Sequence, residues 1–311
     1  MILDVVAMNA LTGWIDVSVS MTIISCVICV CGFLCNSASL WCLAKCRRIN
    51  LATRVQLMIV FGILLTISTL TLPGIIAINF SDYRAGDLPN KLQMTCLTVH
   101  SVLFQMERIV FSFIAVTRLL AVWKPQLYQK TAKVSVVVIV VVFFLAYSLA
   151  SWPLVVFVAT ETIDDEESQR YILSGWRNFN LLLPFGLTIF AYFFMMVSMA
   201  LQRHKLKKRN ESAPTTGEHV SFTIRVVLFA NLLLDGPHIA IHLLEDKYIA
   251  LPIMHTVFNF HLIIEPLLFV GLNPHYRRAV LHLTMPCLPH CGQPTTPSTT
   301  AVSTDLVGTQ L

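Results

Sequence analysis

The sequence predicts an all-α membrane protein: a bundle of seven transmembrane helices with a short amphipathic helix after the seventh. Three observations predict it. Of 311 residues, 56% are hydrophobic and 13% are charged, against about 25% charged in soluble domains. Mean hydropathy is +0.71. The charges also cluster between apolar runs, and runs of about 20 residues suffice to cross a hydrocarbon core of about 30 Å as a helix.

The elements follow in order. Residues 1–16 form a short outer N-terminal segment. It holds Asp4 and Asp16 and no Lys or Arg, so it lacks the basic start of a cleaved signal peptide, and the first apolar run is expected to be retained. The bundle occupies residues 17–272. Residues 17–44, 55–81, 134–160 and 178–202 are apolar and free of charge. Three further runs carry interior charge: 92–122 with Glu107, Arg108 and Arg118, 226–244 with Asp235, and 249–272 with Glu265. Residues 273–284 read as an interfacial helix, with Arg277 and Arg278 polar and Tyr276, Val280, Leu281 and Leu283 apolar. Residues 285–311 are rich in Thr, Ser and Pro and read as a disordered tail.

Basic residues orient the bundle. The connections after the first, third and fifth runs, with the C-terminal segment, hold 14 Lys and Arg, and the opposite side holds 5. The positive-inside rule therefore puts the C-terminus in the cytoplasm and the N-terminus outside, as expected of a multi-pass plasma-membrane protein. Acids show the reverse bias. Glu161, Asp164, Asp165, Glu166 and Glu167 fall between the fourth and fifth runs. They read either as a consequence of topology or as an outer surface that attracts a cationic ligand, an amine or a basic peptide.

Five of the nine cysteines lie inside the first run, where they act as small hydrophobes. No disulfide framework or metal spacing emerges among the nine. Ionisable groups in a membrane interior are expensive and are paired or functional. Glu107 is expected to face the bundle centre near Asn36 and Glu265, where the carboxylates read as an internal ion pair or as a sodium- or proton-responsive site. Arg108 is expected to reach Asp235. His100, His238, His242, His255 and His261 are placed within helices. His238 and His242 share a face at i, i+4, read chiefly as polar lining with a metal or pH site as the alternative.

A set of ordered landmarks now matters. Asn36 sits midway along the first run, and Thr71-Leu72-Pro73 lies near the end of the second. Thr117-Arg118-Leu119 and then Trp123-Lys124-Pro125 close the third. Pro184 and Tyr192 mark the fifth, Pro237 the sixth, and Glu265-Pro266-Leu267-Leu268-Phe269 the seventh. From residue 17 to about 291 this set resembles the rhodopsin-like (class A) G-protein-coupled receptors. The resemblance implies that Arg118 is the arginine of the family's Asp-Arg-Tyr motif. It further implies that Glu265, Pro266 and Phe269 stand for its Asn-Pro-x-x-Tyr motif, Pro237 for the kink proline, and Tyr192 for the tyrosine that meets the arginine in the active state.

The departures mark a divergent branch. Thr117 replaces the acid that normally holds the arginine, the second run has an apolar residue near Leu65 in place of an aspartate, and Asp235 replaces a tryptophan. Cys96 has no cysteine between residues 159 and 177 to pair with, so the usual outer disulfide is expected to be missing, as in some MAS-related and orphan receptors. The seventh run has no lysine, which argues against an opsin.

The resemblance implies a heterotrimeric G protein and arrestin as partners, with the basic stretch from Arg203 to Arg209 and Arg225 as a docking surface that also attracts anionic lipid. Cys287 and Cys291 are palmitoylation candidates, Asn79 a glycosylation candidate, and Thr309-Gln310-Leu311 a candidate PDZ ligand. No nucleic-acid partner and no cofactor is expected, a bundle sodium ion aside. No enzyme motif is present, so the expectation is a non-enzyme. The competing class is an ion-coupled transporter or channel using the buried carboxylates, although no internal repeat supports it.

Overall fold

The computed structural model describes residues 2–45, 49–83, 90–162, 165–208, 218–243 and 250–284. These are helical almost throughout, with no strand among them. Among the described residues, seven helices are long and apolar enough to cross a membrane. The tail with Cys287 and Cys291, the basic connection from residue 209 to 217, Asp164, and the side chains of Asn79, Glu161 and Arg203 lie outside the described residues.

The first span belongs to α1 (Ile2–Lys45). Helix begins well before the apolar window Val19–Lys45, so the segment 2–16 is helical rather than a separate extended terminus. The second span comprises α2 (Leu51–Thr66) and α3 (Leu72–Tyr83) around a π-helical turn, Ile67–Thr71. Asn50 starts α2 by accepting the Ala52 N–H at 2.9 Å, an N-cap. Pro73 explains the π turn. Its ring excludes an ordinary i−4 carbonyl, and one extra residue in the turn accommodates this. The extra residue also rotates everything before it. Leu64 and Ser68 face the interior and Leu65 is only half-buried.

The third span is α4 (Asn90–Trp123), followed by a short α5 (Pro125–Thr131) with its proline at N1. Then come α6 (Val134–Thr162) and α7 (Glu166–Lys208), the fourth and fifth spans. The fifth is longer than its apolar run. Glu166 and Glu167 form the first turn of α7 rather than a free loop, and acids there complement the positive end of the helix dipole. Asp165 caps that turn: its carboxylate accepts from Ser168 Oγ at 2.7 Å, Ser168 N at 2.9 Å and Glu167 N at 3.4 Å. The Ser168 hydroxyl foremost, with the two backbone N–H groups, holds the Asp165 carboxyl below the usual carboxylate range.

The sixth span is α8 (Glu218–Leu243) and the seventh is α9 (Ala250–Asn259) plus α10 (His261–Leu272), interrupted at Phe260. Then α11 (Pro274–Thr284) turns away, with Tyr276 buried against Phe269 and Arg277 and Arg278 exposed. Helix α4 is the centre of the bundle, packing on α2, α3, α6 and α7. Helix α1 closes the ring against α2 and α10, and α8 bridges α7 to α9 and α10.

The polarity of this bundle is inverted relative to a soluble one. Leu70, Ile139, Phe143 and Phe193 point outward, whereas Asn36, Glu107, Asp235, His261 and Glu265 are buried. That distribution suits a hydrocarbon solvent, in which association rests on close packing and interhelical hydrogen bonds. Gly32 shows the closeness. A Cβ there would lie 2.6 Å from Ser68 Oγ and 3.5 Å from the Leu262 Cβ, so only glycine lets α1 approach the π turn and α10 together.

Candidate functional site: a buried chain of charge across four spans

The interior polar groups form a connected set on α1, α4, α8 and α9–α10. On α8 they recur at Asn231, Asp235, His238 and His242, spacing that keeps one helix face pointed inward. Arg108 on α4 meets this stripe. Its Nε donates to both Asp235 oxygens at 3.0 and 2.9 Å, and Nη2 donates to Oδ1 at 2.7 Å. Both side chains are buried. Bidentate, charge-assisted geometry of this kind is what makes a buried pair tolerable.

Arg108 Nη2 also lies 3.0 Å from His238 Nδ1. A guanidinium only donates, so that nitrogen accepts, and the proton of a neutral His238 sits on Nε2. Nε2 faces His255 Nδ1 at 3.2 Å and His242 Nε2 at 3.1 Å. The Phe258 ring stacks on His238 at 4.1 Å and on His261 at 4.4 Å, with the Arg108 guanidinium 5.3 Å from its centroid. One aromatic ring thus packs against both halves of the charge chain.

His261 sits where the seventh span breaks. Its Nδ1 lies 2.6 Å from Phe258 O, which only accepts, so Nδ1 carries a proton. Its Nε2 is 3.2 Å from Glu107 Oε2. One proton must therefore lie between them, giving either an imidazolium–carboxylate pair or a neutral imidazole with a carboxylic acid. One turn on, Glu265 Oε1 accepts from Asn231 Nδ2 at 2.9 Å. Asn36 donates to Gly32 O at 2.8 Å and to Leu262 O at 2.9 Å, tying α1 to α10. Glu107 faces the interior, where its hydrogen-bond partner is His261. Asn36 Oδ1, Glu107 Oε1 and Glu265 Oε2 are buried with no hydrogen-bond partner among the described residues, and such hard oxygen donors suit a small cation or ordered water.

No protein-family model matches the sequence, and no curated protein matches it.

At the other end of α4, Arg118 donates to Thr53 Oγ1 on α2 at 2.6 Å. The hydroxyl of Thr117 is engaged elsewhere. That hydroxyl donates to Ile114 O at 2.9 Å and receives Gln56 Nε2 at 3.5 Å. Tyr192 lies apart from Arg118, stacked on Phe229 at 6.1 Å. Arg225 departs from the expected basic surface: it is buried between α7 and α8, with Nη1 2.6 Å from Met199 Sδ and its guanidinium 6.0 Å from the Phe222 ring. Phe269 packs on Phe61 at 5.0 Å. Pro184 lies inside α7, Pro237 inside α8 and Pro266 inside α10. The Pro184 carbonyl accepts from Ser112 on α4 at 2.6 Å and from Thr188 at 2.9 Å.

Cys96 is a free thiol, donating to Thr71 O at 3.8 Å. It fills the space beside Gly74, where a Cβ would collide with Sγ. Of the acidic ligand-facing candidates, Asp165 is committed to capping, Glu166 pairs with Arg170 at 3.3 Å, and Glu167 is exposed. His255 is placed with the α8 histidines rather than with the acidic segment.

Proposed function

We propose that the chain is a G-protein-coupled receptor of the rhodopsin-like kind, set in the plasma membrane with its N-terminus outside. The observation that carries this reading is the Arg108–Asp235 clamp, which ties the third span to the sixth above an arginine, Arg118, held by the Thr53 hydroxyl. A ligand entering from the outer end shifts the balance between clamped and open arrangements. Opening swings α8 about Pro237, parts α7 and α8 around Arg225, and exposes Arg118 to the G protein. The tail, once phosphorylated, serves arrestin, and its last residues serve a PDZ domain.

A sodium ion in the bundle would take the buried oxygens of Asn36, Glu107 and Glu265 as ligands. When bound, such an ion neutralises the paired carboxylates. His261 competes with it when the proton shared with Glu107 makes it an imidazolium, which already supplies a positive charge beside that carboxylate. Expression in cells with cAMP, calcium and inositol phosphate readouts tests the receptor reading. Ligand-independent output above mock-transfected cells, abolished by Arg118→Ala at equal surface expression, supports it. Silence in all three, or output unchanged by Arg118→Ala, counts against it. The unpartnered oxygens of Glu107 and Glu265 also favour a second reading, an ion-coupled transporter, which sodium flux into proteoliposomes would reveal.

A further inference from the structure

We propose that His238, His242 and His255 form a binding site for a first-row transition cation of the zinc class, between the sixth and seventh spans at the end that bears the 244–249 connection. The three residues come from two helices. His238 and His242 lie one turn apart on α8, and His255 faces them from α9. One nitrogen of each lies within 4.8 Å of the other two. His238 Nε2 is central, 3.1 Å from His242 Nε2 and 3.2 Å from His255 Nδ1. Ligand nitrogens about 2.0–2.1 Å from a tetrahedral zinc stand roughly 3.3 Å apart, so small rotamer adjustments convert these hydrogen bonds into coordination.

The chemistry of the set selects the metal. Three neutral imidazoles suit zinc, copper or nickel, while magnesium and calcium require oxygen ligands. Three protein ligands leave the fourth position of a tetrahedron open, to water or to an exogenous ligand. His242 and His255 are half-buried, and His242 is the penultimate residue of α8, so the site sits near the end of the span. The ring planes of the three histidines stand at 68–86° to one another, edge to face rather than in a parallel stack. Behind His238 lies Asp235 Oδ1, 3.6 Å from Nδ1. A carboxylate there is the usual support for a metal-bound histidine.

That support has a consequence for the clamp. In the metal-free arrangement His238 accepts from Arg108 through Nδ1 and carries its proton on Nε2. A metal on Nε2 requires that proton on Nδ1, where it can be donated only to Asp235. The Arg108–His238 hydrogen bond is then lost, and Asp235 divides its oxygens between Arg108 and His238. Metal binding thus weakens the join between α4 and α8. The guanidinium also opposes the bound cation, so the site is a reversible sensor of metal concentration rather than a structural centre. None of this rests on coupling to a G protein.

The test is a zinc titration of the purified full chain in lipid nanodiscs, by calorimetry and thermal shift, with X-ray absorption at the zinc edge. Expected are one equivalent of saturable zinc, a nitrogen- and oxygen-only ligand shell, no response to magnesium, and at least a tenfold loss of affinity in both His242→Ala and His255→Ala. A sulfur-containing shell would place zinc on the free cysteines instead and overturn the proposal, as would affinity unchanged in either variant. The ligand shell is read on the unmodified chain, so the outcome stands even if a variant fails to fold.

Discussion

Arg108 of α4 and Asp235 of α8, 127 positions apart, share three short hydrogen bonds inside the bundle. Hydrocarbon and packed side chains screen such a pair poorly, so its two members depend on each other more than on their surroundings. Asp235→Ala leaves an uncompensated guanidinium and is expected to destabilise the protein by about 3–5 kcal/mol, whereas the double change Arg108→Met with Asp235→Leu should recover most of that loss. Thermal unfolding in nanodiscs gives the comparison. A double variant as unstable as the single one would show that the pair itself is not what the fold needs.

The lock at the opposite end is weaker in kind. Arg118 is held by a neutral hydroxyl at 2.6 Å, and a hydrogen bond involving one charged partner contributes about 1.5–3 kcal/mol. Thr53→Ala is expected to raise basal second-messenger output several-fold at equal surface expression. Thr117→Asp, which adds a carboxylate beside the arginine, is expected to lower it. Basal output that ignores both substitutions would detach Arg118 from the switch.

His261 and Glu107 share one proton by geometry, since Phe258 O can only accept. Their contributions should therefore be strongly non-additive. A cycle built from His261→Phe, Glu107→Leu and the double variant is expected to return a coupling of about 1–3 kcal/mol. Additive losses would mean that the two side chains act independently.

The cap at Asp165 carries a pH dependence. Its carboxyl titrates below the ordinary value of 3.8 because the ionised form is hydrogen-bonded in the folded state. The stabilisation is thus fully present above that value and fades as pH falls through the lower folded one. Hydrogen exchange at Glu167 and Ser168, corrected for intrinsic rate, should stay slow down to about pH 4 and accelerate below it. Asp165→Asn should remove the pH dependence while keeping much of the protection, since asparagine also caps. Protection indifferent to both changes would argue against the cap.

Much of this architecture is legible in the sequence, for reasons that also explain what is not. Lipid punishes charge, so the seven runs announce themselves, and a charge inside a run must find a partner across the bundle. Arg108 with Asp235 could be anticipated on that ground. The inward stripe Asn231, Asp235, His238 and His242 is also written in the spacing, and following it would have linked Asn231 to the interior and drawn His238 and His242 to His255. Other features leave no such trace. The π turn before Pro73 shifts the facing by a residue, which hid the roles of Leu64 and Ser68. The break at Phe260 turns His261 toward Glu107, and helical periodicity through residue 260 does not foresee it. Thr53 reaches Arg118 because α2 starts at Leu51, ahead of its apolar run. Arg225 reads as surface charge, yet the soft Met199 sulfur and the Phe222 ring accept it between α7 and α8.

In the proposed receptor, the bundle transmits a conformational change to a G protein through Arg118. Purified chain in nanodiscs, mixed with each class of heterotrimeric G protein, tests it by the rate of nucleotide exchange. At least one class should exchange faster with the unmodified chain than with empty nanodiscs, faster still with Thr53→Ala, and at the empty-disc rate with Arg118→Ala. Exchange at the empty-disc rate for every class, in the unmodified chain and in Thr53→Ala alike, would contradict it.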